Sequence, residues 1–122
     1  MGKQKKKPLP PWSSERIDGA DKRFIQIGNS LLLSPRYNSL TLGARHLYLC
    51  MMMEAGGNKS FTLPQSAAKK YGVPSSSLRR YIDELVAAGF IIRRSMANLR
   101  KPNEYVFSVS WKLPGGSDKT SS

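Results

Sequence analysis

The chain has 122 residues, with 20 Lys and Arg against 8 Asp and Glu, and a formal net charge of +12. That length supports one compact domain with a modest core, and 39% hydrophobic residues with two Trp, five Tyr and four Phe is too apolar for a chain disordered throughout. One Cys and one His exclude an intrachain disulfide framework and a structural zinc site closed within the chain. The longest apolar run, 47–53, meets Glu54 at once and falls short of the ~18 residues of a membrane span. The basic amino end passes into Pro-Leu-Pro-Pro at 8–11, with none of the apolar stretch of a secretory signal.

Residues 1–23 hold seven Lys/Arg and three acids, 24–114 hold twelve and four, and 115–122 hold one of each. Most of the excess therefore falls on the segment that reads as folded, which suits a polyanion-binding face. The plain alternative is a generally basic surface without a specific partner.

Residues 1–23, with Lys3, Lys5, Lys6, Lys7 and three prolines, read as a flexible basic arm, 24–114 as the folded domain, and 115–122 as a disordered tail. Within the domain, 24–27 is a short strand ended by Gly28, and 30–33 a brief apolar segment stopped by Pro35. Thr41 caps a helix over 42–55, apolar on almost every side, with Gly56-Gly57 as its left-handed stop. A second strand covers 60–63, and Pro64 opens the first turn of a helix that reaches Tyr71 and closes at Gly72. A third long helix spans 75–88, facing inward with Leu78, Tyr81/Ile82, Leu85 and Val86. Residues 90–96 and 105–111 are strands, the latter alternating Tyr105, Phe107, Val109 and Trp111 on one face. The polar, basic loop 97–103 joins them. This order of elements predicts an α+β fold of winged-helix type: a three-helix helix-turn-helix core, a small antiparallel sheet and one basic wing.

In the segment 64–83, PQSAAKKYGVPSSSLRRYID, Ala67, Ala68, Tyr71, Val73, Leu78 and Tyr81 fall where two helices press together, with Gly72 at the turn. The segment resembles a DNA-binding helix-turn-helix. Glu84-Leu85 and Gly89-Phe90-Ile91 are similar to the ELxxxGxI ending of many bacterial winged-helix regulators. Pro74 stands where those regulators place a Ser or Thr cap, so either Ser75 caps the third helix or Pro74 is its first residue. The resemblance implies that this helix enters the major groove amino end first, with Ser75, Ser76, Ser77, Arg79, Arg80 and Asp83 facing outward. Short serines let the backbone approach, and Arg79 and Arg80 suit bidentate contact with guanine. Arg100 and Lys101 at the loop tip are expected on phosphates or in the minor groove, with Lys69 and Lys70 positioning the second helix. Of Arg93 and Arg94, only one need face DNA on an alternating strand, and Arg94 is assigned. The plain alternative for Arg79 and Arg80 is a solvated helix face paired with Asp83 or Glu84.

Phe24-Ile25-Gln26-Ile27, Ser30-Leu31-Leu32, Tyr37, Leu40, Ala44, Leu47-Tyr48, Gly89-Phe90-Ile91 and Asn103-Glu104-Tyr105 make a wider pattern of mostly core positions. In these residues 24–111 resembles the amino-terminal winged-helix domain of plasmid and transposon replication initiators. The resemblance implies double-stranded DNA binding by a transcriptional or replication-linked regulator of a bacterial mobile element, cytoplasmic and nucleoid-associated.

His46, Cys50 and Glu54 share one face of the first long helix, an order that invites a Cys-His nucleophile. A free cysteine in an apolar run is more often a small core residue, and three groups stacked up one helix do not converge on a substrate. Gly56-Gly57-Asn58-Lys59 lacks the spacing of a phosphate loop. The expectation is a non-enzyme with no cofactor, no metal, no small-molecule substrate and no membrane. The competing readings are a protein-interaction module docking through the apolar first helix, and a non-specific DNA- or RNA-binding accessory protein. Homodimerisation over two half-sites is compatible with the pattern. The Met51-Met52-Met53 run is either its interface or, as preferred, core beneath 24–33.

Overall fold

The computed structural model describes residues 8–95, Asn98 and 102–112. Within them the chain is α+β, with five helices and a three-stranded antiparallel sheet. Two short helices come first, α1 (Asn29–Leu33) and α2 (Pro35–Asn38), then the long α3 (Leu42–Ala55) and strand β1 (Ser60–Thr62). Helices α4 (Gln65–Lys70) and α5 (Ser75–Ala87) follow, then strands β2 (Ile91–Arg94) and β3 (Glu104–Phe107). The strands lie in the order β1-β3-β2, with Phe61 opposite Tyr105 and Ile91 opposite Phe107.

Helix α3 is the centre of the domain. Thr41 starts it as expected: its Oγ1 accepts from the Ala44 N–H at 3.3 Å, and Gly56 ends it in the left-handed region at φ 59°. Its inner face is fully used, with Ala44, Leu47, Tyr48, Cys50, Met51 and Ala55 buried, while Leu49, Met52 and Met53 are half-buried. Glu84 of α5 fastens the start of α3 from the side. One carboxylate oxygen accepts from the Thr41 N–H at 2.9 Å, and the other from the Thr41 hydroxyl at 2.7 Å. Gly43 lets the two helices meet, since a Cβ there would lie 2.5 Å from Cε2 of the Tyr81 ring and closer still to its Cζ and hydroxyl oxygen. Phe90, Leu47, Met51, Leu85 and Ile91 are the largest fully buried side chains. Around them Tyr48 meets Phe90 edge-on at 5.1 Å, and Trp111 stacks on Phe90 at 5.0 Å.

Several boundaries differ from the pattern. Residues 24–27 are not a strand and belong to none of the three strands of the sheet. The brief segment before Pro35 is helix α1, and Ser34 both ends it and caps α2, accepting from the Tyr37 N–H at 3.3 Å. That Ser-Pro pair is the usual start of a helix and explains why Pro35 begins one as well as stopping one. Pro64 is the cap of α4 rather than part of its first turn. Strand β3 ends at Phe107, not at 111. Ser108 Oγ takes the Ser110 N–H at 3.1 Å, a 3₁₀ turn forms over Ser110–Lys112, and Trp111 folds back onto the core. Val109 is thereby left 61% exposed rather than facing inward. Of the arm, residues 8–23 make a loop closed by the Leu9 N–H on the Gly19 carbonyl at 2.9 Å.

Candidate nucleic-acid interface

Helices α4 and α5 are joined by four residues, and each has a mechanical role. Tyr71 ends α4, Gly72 turns the chain at φ +84°, and the buried Val73 pins the turn to the core. The Gly72 and Val73 N–H groups return to the Lys69 and Ala68 carbonyls at 2.9 and 3.0 Å. Ala67 and Ala68 are buried on α4, and α5 buries Leu78, Ile82 and Leu85. Small residues on the shorter helix are what let the pair close up, and a longer side chain at Ala68, 1% exposed, would separate them.

Helix α5 starts at Ser75 as read, but neither expected capping arrangement is the observed one. Pro74 takes the cap position in extended backbone (φ −66°, ψ 142°) without a side-chain hydrogen bond, and Ser75 is the first helical residue. A proline has nothing to offer the first amides of the helix, which have no intrahelical carbonyl to reach. Ser75, Ser76 and Ser77 therefore bring hydroxyls and backbone donors to an uncapped end of positive dipole. Their hydroxyls make no hydrogen bond among the described residues.

The cations fall into two sets. Lys70 is engaged, with Nζ 3.0 Å from Glu54 and lying over the Tyr71 ring. Arg94 lies 3.6 Å from Glu104, its partner across the β2–β3 ladder, and Arg93 bonds Asp83 at 2.9 Å. Lys69 and Arg79 are exposed and make no ion pair or hydrogen bond among the described residues, and Arg80 lies over the Tyr81 ring at 5.2 Å. Pairing absorbs Arg93 and Arg94 because each stands opposite a carboxylate set by the sheet or by α5. Asp83, one turn along α5 from Arg79, is taken by Arg93 instead.

Arg79 lines a groove of about 410 Å³ between α5 and the β2–β3 hairpin. Gln65, Ser75, Arg93, Ser95 and Asn103 supply the rest of its polar wall, over a floor of Leu78, Ile82 and Tyr105. Of the residues expected at the interface, Ser75 and Arg79 are brought together here. Ser76, Ser77, Arg80, Lys69 and Lys70 stand on the neighbouring surfaces of α4 and α5. Arg94 does not line the groove, and Arg93, the other residue of its pair, does: the pleat of β2 turns them to opposite faces. Arg100 and Lys101 lie outside the described residues. Gln65 and Asn103 were missed; each is a lone amide at the start of an element, a position that carries no periodic signal.

The His46, Cys50 and Glu54 face does different work. His46 Nε2 lies 2.9 Å from the Tyr71 carbonyl and 3.5 Å from Cys50 Sγ, and Glu54 accepts from the Tyr71 hydroxyl at 2.6 Å. Burial pushes the Cys50 thiol up to about 11, so it is a thiol rather than a thiolate at neutral pH. The Glu54 carboxyl is drawn below its ordinary range by the Tyr71 hydroxyl and then by Lys70. Burial and that same carboxylate push the Tyr71 phenol up to about 12. The face is a polar bracket fastening α4 to α3. Among the described residues no three His, Cys, Asp or Glu side chains could hold a metal ion, and no helix is long and apolar enough to cross a membrane.

Comparison of the chain with protein-family models, with curated proteins and with solved structures found no match.

Proposed function

We propose that this chain is a double-stranded DNA-binding protein of winged-helix type, in which α4 and α5 form the helix-turn-helix and the β2–β3 hairpin is the wing. The observation that carries the reading is Arg79, unpaired among the described residues, on the groove beside the serine-rich start of α5, which has no side-chain cap. In this reading α5 presents its amino end to the major groove, Arg79 reads a base edge, and Ser75, Ser76 and Ser77 bond phosphates or bases. Arg80, Lys69 and Lys70 hold the flanking phosphates, and Arg100 and Lys101, outside the described residues, are expected to add contacts to phosphates or the minor groove. The net charge of +12 supports strong, salt-dependent attachment. A role as a transcriptional or replication-linked regulator, not an enzyme, of a bacterial mobile element follows from the resemblance of 24–111 alone. The docking alternative keeps less surface than the pattern offered, because Ala44, Leu47, Tyr48 and Met51 of α3 are buried inside the domain.

The test is a salt titration of binding to random duplex DNA and to duplex from around the chain's own gene. A steep slope with preference for the local duplex is the expected result. A steep slope without preference reduces the reading to non-specific attachment, and no binding to either duplex refutes it.

A further inference from the structure

A second cavity, of about 710 Å³, shares no lining residue with the groove beside α5. It lies between residues 22–26, the end of α3 and the turn 56–59, with Phe107 of β3 behind it. That volume is in the range of small-molecule sites, which combine an apolar lining with a few placed polar groups. The apolar part here is Met52, Met53 and Phe107. Tyr48 lines the cavity while only 6% exposed, and its hydroxyl makes no hydrogen bond among the described residues. The ring is held in the core while the hydroxyl keeps accessible surface, so a donor is on offer at the cavity wall.

The charged part of the wall has one sign. Lys22, Arg23 and Lys59 line the cavity, and no carboxylate does. Arg23 is partly committed, donating to the Met53 carbonyl at 3.2 Å and acting on Glu54 from outside the cavity. Lys22 and Lys59 make no ion pair among the described residues. Gly56 and Gly57, both at positive φ with open space where a Cβ would stand, leave bare backbone at the rim.

We propose that this cavity binds a small organic anion, an acid group carried on an aromatic or branched apolar body. The body packs against Met52, Met53 and Phe107, the acid group faces Lys22 and Lys59, and the Tyr48 hydroxyl donates to an oxygen of the ligand. A DNA backbone would satisfy the lysines but leave the apolar floor and the phenol unused, so the observations favour the amphipathic anion. The proposal is independent of the nucleic-acid reading.

The experiment uses the full chain, with naphthalene-1-sulfonate as probe and backbone amide NMR shifts as readout. Saturable shifts are expected at Met53, Gly57, Lys59 and Phe107, with a Kd of about 1 mM or tighter for a ligand of this size. Naphthalene-1-methanol, of the same body without the charge, is expected to bind about tenfold more weakly, as is the sulfonate to Lys59→Gln, a change at an exposed position that leaves the fold intact. Tyr48→Phe, which keeps the ring, is expected to weaken binding severalfold without moving the amide spectrum of α5. Equal binding of the neutral compound, shifts centred on 75–79, or no saturable shift at millimolar probe would each overturn the proposal. So would inorganic phosphate or duplex DNA shifting the same amides with Tyr48→Phe unaffected, which would make the cavity a phosphate-backbone surface.

Discussion

Replacing Arg79 with Ala separates sequence reading from simple attraction to DNA. The side chain is exposed and unpaired among the described residues, so its loss breaks no folded-state bond and stability should hold within about 0.5 kcal/mol. If its guanidinium grips a guanine edge, removal costs about 1–3 kcal/mol on the preferred duplex, or roughly 5- to 150-fold in Kd. Random duplex offers no matched base and should lose far less. Lys69→Ala is the contrast: a lost phosphate contact weakens binding to every duplex alike and lowers the salt slope by about 1. Fluorescence anisotropy at several salt concentrations, with preferred and random duplexes side by side, measures all four quantities. Parental affinity of the Arg79 variant for the preferred duplex, or an equal loss on both duplexes, would refute base reading by this residue.

Glu84→Ala removes both hydrogen bonds to Thr41 and should cost about 1–2 kcal/mol, seen as a Tm lower by roughly 4–8 °C per kcal/mol. Adding Thr41→Ala should cost less than that change does alone, leaving only its cap on the Ala44 N–H, and full additivity in thermal melts would disprove the coupling. Native Cys50, with a thiol near 11 against an ordinary value of about 8.5, should react with a thiol reagent at pH 8 at least about a hundredfold more slowly than the unfolded chain. Fast native labelling would contradict its burial. Because the Glu54 carboxyl is lowered in the fold, its contribution is complete above the unfolded value near 4.3 and lost as pH falls through the folded one. Glu54→Gln should therefore destabilise the chain in urea at pH 7 and much less near pH 3, and an equal cost at both would rule out an ionic origin.

Elements with strong local signals were legible along the chain. The capping threonine and paired glycines bound α3 at Leu42–Ala55 as read, and the turn at Gly72 and the buried faces of α4 and α5 followed from small and apolar residues at helical spacing. Where one signal had two uses, the reading slipped. Phe24, Ile25 and Ile27 look like a strand, but a strand forms only where a partner pairs with it, and 24–27 belong to none of the three strands. The alternation through Val109 and Trp111 looks continuous, yet the Ser108 hydroxyl turns the chain and a tryptophan can reach the core from a 3₁₀ turn as well as from a strand.

The sequence by itself determined the α+β class, the basic character, the central helix and the pair α4–α5, because these depend on near neighbours, spacing and total charge. It also nominated Ser75 and Arg79 through their place at the start of α5. Only the tertiary structure decided which cations are left unpaired. Asp83 reaches Arg93 and Glu104 reaches Arg94, each between neighbouring elements ten positions apart, while Arg79 meets no acid among the described residues. The same folding placed Tyr48, Lys22 and Lys59 around one cavity, although 37 residues separate the two lysines. Pairing and enclosure depend on distances through space, which local periodicity does not encode.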